Sequence, residues 1–419
     1  MRAELVEARS VTACGGMRVL FSTTAGTGHF GPLIPVARVC QAAGHTVAVA
    51  APARFAEAVT GAGFDHLPFA DPSPEVRGKV FSCAPQLTFE EMNRLVLAEV
   101  FARLDAQAAL PALGEIMIDW RPDLVVREPC EFGSLVASES AGIPQLQVAI
   151  MTGRIGPGIL GVVRESLAEL STMADLLPER AAGVLLQADC LTSVPEALDS
   201  GDLVLGEAEA PEAVSDRGRM WRFRTETPIK PRLPATWGDA ADPLIYVSYG
   251  SVTARQPEFA PIYDATLRAL SDLPARVLMT TGLGFDVGKL HPIPPNTRVE
   301  QWWPQEAVMG AAAAVVGHGG FGTTMAALAA GVPQVVVPLF AFDQSIHARR
   351  VAEVNAGIQL PGGVAAVSDL PAALRRVLDD PAFAEGASAM AAEITALPDI
   401  AECLPLLEQL ASNRVSADD

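Results

Sequence analysis

Short apolar runs alternate with amphipathic segments along most of the chain. Near the amino terminus, Arg18–Ser22 and Thr46–Ala50 are apolar runs of strand length, and Leu33–Ala43 between them has helical apolar spacing that ends at Gly44. A strand, a helix and a second strand joined by short connections predict a βαβ unit with parallel strands. The pattern therefore predicts an α/β fold.

A second series of the same kind begins at Leu244–Ser248 and continues with Val277–Thr281, and each of these strands runs into glycine. Acids and then several prolines separate the two series, which is typical of a linker. Two parallel-sheet domains are therefore predicted. The predicted division is 17–215 for the first domain, 216–242 for the linker, 243–395 for the second domain and 396–419 for a final helical segment.

Between these strands, two stretches are predicted to be irregular. Asp71–Leu87 is polar and contains proline, and Gly153–Gly161 is rich in glycine, which indicates a loop. Two helices are predicted at Phe89–Ala109 and Pro111–Trp120, separated at the proline. This part of the chain is the least regular in its pattern.

Composition excludes several classes of partner. The chain has 419 residues, 50% of them hydrophobic, and a formal net charge of −19. That length suits two domains with sizeable cores. An acidic surface attracts neither nucleic acid nor anionic membrane, and no apolar run reaches membrane-spanning length without interruption. Neither nucleic-acid binding nor membrane insertion is expected.

The cysteines and histidines are scattered. Six cysteines without C-x-x-C spacing indicate reduced thiols and a cytoplasmic protein, and neither the histidines nor the acids cluster at metal-ligand spacing. Met1–Gly16 lacks the apolar segment of a signal peptide, and Met17 is expected to lie close to the natural start. No metal site is predicted.

A strand-to-helix junction in the second domain has the composition of an anion site. The apolar run Ala311–Val316 leads into His-Gly-Gly at 318–320, and a helix is predicted from about Thr323. Thr323 and Thr324 are expected to hydrogen-bond the free amides of the first helical turn, where orphan N–H groups and partial positive charge favour phosphate. Asp343 and Gln344, beyond the next strand, suit sugar hydroxyls. Together these groups indicate an activated sugar.

The glycine-rich loop Gly26–Gly31 satisfies G-x-G-x-x-G, the dinucleotide fingerprint. That fingerprint needs an acid at the end of the second strand, where this chain has Ala50–Pro52, so a nicotinamide or flavin oxidoreductase is disfavoured. Alternatively, the function of the loop is to position His29. An imidazole with an ordinary pKa near ~6.5 accepts a hydroxyl proton at neutral pH. The remaining alternative is that His29 has only a structural role and caps the first helix.

Taken together, these stretches resemble the family-1 glycosyltransferases of bacterial natural-product biosynthesis. His-Gly-Gly-Phe-Gly-Thr-Thr from 318, Gly-Val-Pro at 331–333 and Asp-Gln at 343–344 are similar to that family's donor signature, which Trp302–Gln305 begins. His29–Pro32 is similar to the His-x-x-Pro element that holds its base. The resemblance implies a GT-B architecture, with two Rossmann-like domains facing across a cleft and the final helix packed back on the first domain.

The resemblance also implies residue roles. His29 is the implied catalytic base, and Glu128 is its implied partner acid. Because the alignment of this turn with the family is uncertain by a residue or more, Glu131 is the other candidate for the partner acid. Alternatively, Glu128 is only a solvated acid paired with Arg127. The implied acceptor contacts are Phe81, Phe89 and Met92. The implied donor contacts are Ser251, Thr281, Trp302, Gln305, His318, Gly320, Thr323, Asp343 and Gln344.

The resemblance further implies an inverting transfer from a nucleoside diphosphate sugar to a small-molecule natural product, with neither metal nor other cofactor. Relatives that use uridine diphosphate sugars often carry an acid where this chain has Ala326, and a carboxylate matched to a 2′-hydroxyl suits deoxyribose poorly. A dTDP-sugar is therefore favoured over a UDP-sugar. A nucleotide-sugar epimerase or hydrolase, a non-catalytic auxiliary protein and a homodimer stay open.

Overall fold

The computed structural model describes residues 16–82, 86–153, 155–199, 218–225 and 230–412. Nearly all of the predicted leader, residues 216–217 and 226–229 of the predicted linker and the last seven residues lie outside these ranges. Within them, thirteen strands form two sheets in which every pairing is parallel. The predicted α/β fold with two Rossmann-like domains is confirmed.

The first domain contains seven strands and nine α-helices among its described residues. Its strands are β1 Arg18–Ser22, β2 Thr46–Pro52, β3 Asp65–Phe69, β4 Leu124–Arg127, β5 Gln145–Val148, β6 Cys190–Thr192 and β7 Met220–Arg222. Its helices are α1 Thr27–Phe30, α2 Leu33–Ala42, α3 Ala56–Gly61, α4 Pro74–Phe81, α5 Phe89–Leu95, α6 Ala106–Asp119, α7 Phe132–Ser140, α8 Ile155–Met173 and α9 Arg180–Gln187, with a π-helical stretch Val96–Asp105 between α5 and α6 and 3-10 turns at Ala53–Phe55 and Glu196–Leu198.

The sheet order of the first domain is β3-β2-β1-β4-β5-β6-β7. In register, Val19 of β1 lies beside Val47 of β2 and Leu124 of β4. These strands are apolar on both faces because helices cover both sides of the sheet, as parallel sheets require. The switch in strand order between β1 and β4 leaves a crevice at their carboxyl ends, where ligands bind in such folds.

The second domain repeats this plan with six strands. Its strands are β8 Leu244–Ser248, β9 Arg276–Thr280, β10 Thr297–Glu300, β11 Ala314–Gly317, β12 Gln334–Val336 and β13 Gly357–Gln359, in the sheet order β10-β9-β8-β11-β12-β13. Its helices are α10 Pro261–Leu270, α11 Gln305–Met309, α12 Phe321–Ala329, α13 Phe342–Glu353, α14 Leu370–Asp379, α15 Pro381–Ala396 and α16 Leu404–Ser412, with 3-10 turns at Thr253–Arg255, Val287–Lys289, Gly363–Asp369 and Ile400–Cys403.

Two stretches predicted as irregular are helical. Ser73 caps α4 by accepting a hydrogen bond from the N–H of Val76, within the stretch predicted to be a polar loop. The helix α8 begins inside the predicted glycine-rich loop, and its side chains Ile155 and Ile159 are buried. Burial of an apolar helix face offsets the low helix propensity of glycine and proline, which the local pattern had favoured.

The helix break predicted at Pro111 is also wrong, because α6 continues through it. The neighbouring side chains Leu110 and Leu113 are buried in the core of the domain, and that packing offsets the hydrogen bond that proline removes. The chain from α5 to α6 is therefore continuously helical, and its first part, as far as Phe101, lines the acceptor side of the cleft.

Elements from both the predicted linker and the final segment pack on the first domain. The strand β7 lies within the predicted linker, because Met220 pairs in register with Cys190 of β6 and extends the first sheet. At the end of the chain, Cys403 and Leu407 are buried in the apolar cluster of the first domain, and Arg224 forms an ion pair of 2.9 Å with Asp399. None of the described helices combines the length and apolar character needed to span a bilayer.

Candidate active site

The carboxyl ends of the two sheets face each other across a cleft between the domains. His29 follows β1, Glu128 follows β4, Ser251 follows β8 and His318 follows β11. The hydroxyl oxygens of Thr27 and Ser251 lie 2.6 Å apart across this cleft. A second contact joins α5 to α13, since the N–H of Phe342 donates to the side-chain oxygen of Asn93 at 3.0 Å. The candidate active site lies between these two contacts.

His29 and Glu128 meet on the first-domain side of the cleft. Nδ1 of His29 lies 3.1 Å from Oε1 of Glu128, and Glu128 is fully buried. The N–H and hydroxyl of Thr24 donate to the same carboxylate at 3.3 and 3.0 Å, and the N–H of Cys130 donates at 2.6 Å. This set of donors stabilises the ionised carboxylate and orients it towards the imidazole.

The pKa values of the pair move in opposite directions. Burial lowers the pKa of His29, but the charge and contact of Glu128, with smaller contributions from Asp343 and Asp105, raise it overall above its ordinary value. Burial raises the pKa of Glu128, but His29 and the N–H donors bring it below its ordinary value. An ionised carboxylate in this position favours the protonated form of the imidazole.

Glu131, the alternative partner acid, has a different contact set. Its carboxylate accepts from the Ser22 hydroxyl at 2.7 Å and from the N–H of Ser134 at 3.1 Å, so that it caps α7. The structure thus places Glu128, and not Glu131, beside His29. The alternative ion pair between the side chains of Arg127 and Glu128 is not formed. The guanidinium of Arg127 donates instead to the backbone oxygen of Glu128 and to the side chain of Gln145.

One set of potential metal ligands does come together among the described residues, although sequence spacing showed none. The ligand atoms of His29, Glu128 and Cys130 all lie within 4.8 Å of one another. Burial and the Glu128 charge raise the pKa of the Cys130 thiol well above its ordinary value, which keeps it protonated. A metal ion bound here would have to displace the thiol proton, because cysteine ligates as the thiolate.

On the opposite side of the cleft, the ring of His318 lies between two glycines. An added Cβ at Gly250 would lie 2.6 Å from the ring, and one at Gly320 would lie 2.5 Å from it. Burial and the neighbouring His347 lower the pKa of His318 to about 4, against a hydrogen bond to the backbone of Ser248 that raises it. His318 is therefore neutral at pH 7 and carries a single ring N–H, so it donates to an anion only in the tautomer that does not bond the backbone of Ser248.

The start of α12 faces the same space. Gly320 precedes the helix in extended backbone, and no side chain caps the first turn. The expectation that Thr323 and Thr324 cap this helix is wrong, since the helix begins at Phe321, and the hydroxyl of Thr323 accepts instead from Gln305 Nε2 at 2.9 Å. The orphan N–H groups of the first turn thus stay available for a phosphate.

The paired tryptophans have separate environments. The side chain of Trp302 lines the cleft and is 61% exposed, which is unusual for so large an apolar surface. The indole N–H of Trp303 donates to the backbone oxygen of Arg232 at 2.8 Å, so Trp303 ties the second domain to the segment before β8. Trp302 has the geometry of a stacking platform for a nucleotide base.

The other implied donor residues divide into those that line the cleft and those that do not. Asp343 lines both the donor side and the acceptor side of the cleft, and burial raises its pKa. The side-chain oxygen of Gln344 is already engaged by the N–H groups of residues 339 and 340, at 2.8 and 3.1 Å. Thr281 is fully buried, and its neighbour Thr280 lines the cleft in its place.

A cavity of about 1150 Å³ opens next to His29 on the acceptor side. All three implied acceptor contacts, Phe81, Phe89 and Met92, line it. Its other walls are largely apolar and include aromatic rings from both domains. The further lining side chains with aromatic rings are Phe101, Phe259, Phe340 and Phe342. A cavity of this size and composition suits a bulky apolar molecule.

Sequence reasoning missed Arg255, which lines both the donor side and the acceptor side of the cleft. Among the described residues of the donor side, it carries the one guanidinium or ammonium group. Two further residues, Asn93 and His347, were also not predicted from the sequence; their hydrogen bonds cross between the domains. Their partners are distant in sequence, so no local motif indicates them; only the position of Arg255 shortly after the Gly-Ser of β8 could have drawn attention to it.

An α/β protein with two facing Rossmann-like domains, a buried histidine–glutamate pair and an anion seat across the cleft has the organisation of a GT-B glycosyltransferase. Comparisons with known proteins agree. Residues 38–174 and 264–410 match the amino- and carboxyl-terminal domains of the family described as "Erythromycin biosynthesis protein CIII-like". The chain belongs to this family of natural-product glycosyltransferases.

Individual relatives support the same assignment. The chain is 32% identical to an L-demethylnoviosyl transferase of Streptomyces niveus, over 87% of this chain and 90% of the relative. It is 29% identical to a 3-alpha-mycarosylerythronolide B desosaminyl transferase of Saccharopolyspora erythraea, over 95% and 99%. The glycosyltransferase SnogD from Streptomyces nogalater has the same fold, with a TM-score of 0.71 at 25% identity over 94% and 99%.

A further solved structure, the glycosyltransferase VinC in complex with dTDP, superimposes with a TM-score of 0.68 at 21% identity, over 94% of this chain and 100% of that one. This likeness shows the GT-B fold. The family match and the sequence relatives show that the protein is a glycosyltransferase of the type found in antibiotic biosynthesis.

Proposed function

We propose that the protein transfers a sugar from a dTDP-sugar to a bulky apolar natural product, with inversion at the anomeric carbon and without a metal ion. The observation that carries this proposal is the contact of 3.1 Å between His29 and the buried Glu128, at the mouth of the acceptor cavity and opposite the anion seat of α12. A base and a leaving-group site on opposite sides of one cleft suit a direct displacement.

In this mechanism the acceptor hydroxyl lies against the ring nitrogen of His29 that faces away from Glu128. The hydroxyl oxygen attacks the anomeric carbon while the bond from that carbon to the diphosphate oxygen breaks, and the hydroxyl proton passes to His29. Glu128 stabilises the resulting imidazolium. A single displacement of this kind inverts the anomeric configuration.

The leaving diphosphate is stabilised by fixed donors. These are His318, the hydroxyls of Ser251 and Thr323, and the N-terminus of α12, all at the donor side of the cleft. Arg255 adds positive charge beside them. Preorganised donors of this type are worth more in a partly closed cleft than in water. They supply the charge stabilisation that a metal provides in other transferases.

The sugar and the nucleoside have distinct contacts. Asp343 lies where the donor and acceptor sides meet, and we propose that it orients the sugar hydroxyls; Gln344 instead holds the loop before α13 through its own backbone bonds. Trp302 stacks on the base. The preference for dTDP rests on Ala326, which is half-buried in α12 and offers no carboxylate for a ribose 2′-hydroxyl.

Replacing Glu128 with glutamine is expected to shift the acid limb of the pH–rate profile to lower pH. His29 must be neutral to act as the base, so the rate falls as the pH drops below its pKa; Glu128 raises that pKa, and removing its charge lowers it. The plateau rate is expected to fall roughly 10–100-fold, as for a lost hydrogen bond to a charged group. The measurement is kcat/KM from pH 5 to 9.

Glu131→Gln is the matched control for this substitution. It removes a buried carboxylate of the same loop that caps α7 and does not contact His29. The acid limb is expected to stay in place in this variant. Equal shifts in both variants would show that Glu128 has no specific effect on the base.

Replacing Trp302 with alanine is expected to weaken nucleotide binding. Stacking of an aromatic side chain on a base contributes ~1–3 kcal/mol, so dTDP affinity should fall roughly 5–150-fold. Calorimetric titration with dTDP and UDP, in the presence of a chelator, measures this, with NADPH as the negative control. Tighter binding of UDP than of dTDP by the unmodified protein would overturn the donor preference and leave the transferase assignment intact.

The full reaction is tested with dTDP-sugars, a panel of polycyclic and macrocyclic acceptors and excess chelator. The expected product carries the opposite anomeric configuration, read from the coupling constant of the anomeric proton. Retention of configuration would exclude the single displacement, and loss of activity in chelator would exclude the metal-free mechanism.

A further inference from the structure

His347 joins the two domains at the back of the cleft. Its imidazole lies on α13, is fully buried, and uses both ring nitrogens. Nδ1 lies 2.6 Å from the backbone oxygen of Gly319, in the loop before α12. Nε2 lies 3.1 Å from the backbone N–H of Thr152, which belongs to the first domain. One side chain thus bonds the donor loop and a segment of the opposite domain.

These two partners define the protonation state of the ring. A carbonyl oxygen only accepts, so Nδ1 carries the proton; an N–H only donates, so Nε2 presents its lone pair. Burial lowers the pKa of His347, against the effect of Asp343, and favours this neutral form. The ring is satisfied only while Thr152 and Gly319 keep their present separation, that is, while the two domains are docked.

Each partner belongs to a segment with a role in the reaction. Gly319 has a φ of +86° and lies between His318 and Gly320, at the anion seat. Gly319 packs closely on the backbone of Gln344: a Cβ added at Gly319 would lie 2.6 Å from the backbone oxygen of Gln344. On the other side, the residues before Thr152, 150 and 151, line the acceptor cavity. His347 lies one helical turn after Asp343.

We propose that His347 is a positioning residue that couples the donor loop to the acceptor wall. It holds the anion seat and the cavity in one arrangement, so that the anomeric carbon meets the acceptor hydroxyl and not water. This inference rests on the proposed function. It adds to that function a device for choosing transfer over hydrolysis of the donor.

Two amide substitutions separate the two bonds. In His347→Asn the side-chain amide reaches the place of Nδ1, so the bond to Gly319 is kept and the bond to Thr152 is lost. In His347→Gln the amide reaches the place of Nε2, so its oxygen accepts from Thr152 and the bond to Gly319 is lost. Arg349→Ala, on the exposed side of the same helix, is the matched control.

Two readouts are measured on the full-length protein: hydrogen exchange of the Thr152 amide, and the ratio of sugar transfer to donor hydrolysis. In His347→Asn, exchange at Thr152 is expected to rise roughly tenfold, the loss of one buried hydrogen bond, and the ratio to fall with little change in KM for the donor. In His347→Gln, protection at Thr152 is expected to persist while KM for the donor rises. Arg349→Ala should match the unmodified protein.

A merely structural histidine would lower the melting temperature and raise both KM values in parallel in the two variants, with an unchanged ratio of transfer to hydrolysis. That outcome would overturn the proposal, as would full protection of Thr152 in His347→Asn. Exchange at Thr152 needs no activity, so it tests the bond even if the unmodified protein neither binds dTDP nor transfers sugar, a result that would instead overturn the proposed function.

Discussion

Replacing His29 with alanine is expected to lower kcat for sugar transfer by ~10²–10⁴-fold, the usual contribution of a positioned general base. The side chain meets the buried Glu128 at 3.1 Å and lines both the donor side and the acceptor cavity. No other described imidazole lines the acceptor cavity, so no second histidine there can replace His29 as the base. Affinity for dTDP is expected to change little, because the nucleotide contacts lie on the second domain.

The measurement combines steady-state kinetics with calorimetric titration of dTDP. His29→Asn serves as the second variant, since its amide fills part of the space without titrating and should lose as much activity as alanine. Imidazole added to the alanine variant is expected to restore part of the rate and to restore the acid limb of the pH profile. A variant within tenfold of the unmodified kcat, with its acid limb unchanged, would contradict His29 as the base.

Replacing Gly320 with alanine is expected to lower kcat/KM by about 10²-fold, the cost of moving a reacting group by about 1 Å. The added Cβ would lie 2.5 Å from the ring of His318, and the ring has little room to move because it also packs close to Gly250, where an added Cβ would lie 2.6 Å from it. His318 must therefore leave the geometry in which it stabilises the leaving diphosphate, or α12 must move with its N-terminus.

Gly322→Ala is the matched control, two residues further along the same helix. An added Cβ at Gly322 meets nothing within 4 Å, and alanine is the better helix former. That variant is expected to be at least as stable and, because its Cβ does not reach His318, to keep more activity than Gly320→Ala. The comparison needs kcat/KM and melting temperatures for both variants. Equal activity in both would show that the position of the His318 ring does not matter for donor activation.

Much of the architecture was predictable because its signals are local. The apolar runs of β1 and β8 and the amphipathic pattern of α2 follow from periodicities of two and 3.6 residues. The same local reasoning failed where packing opposes propensity, as in α8 and at Pro111 within α6. A glycine-rich sequence indicates a loop unless its few large apolar residues find a core, and that depends on distant parts of the chain.

In the candidate site, individual residues could be predicted from the sequence, but their contact partners could not. His29, Trp302 and His318 could be named from motifs, because each follows a strand at the edge where such folds bind ligands. Which acid meets His29 could not be predicted, since Glu128 and Glu131 differ only in how the turn after β4 directs them.

By itself the sequence determined the class of the protein: two parallel-sheet domains, a histidine after the first strand and a glycine-rich strand-to-helix turn in the second domain. Only the tertiary structure decided that the oxygen of Gln344 is engaged by backbone, that Arg255 faces the cleft and that His347 bonds across to Thr152. The physical reason is range. Strand and helix patterns are encoded within a few residues, whereas a hydrogen bond between residues 195 positions apart exists only when both domains are folded and docked.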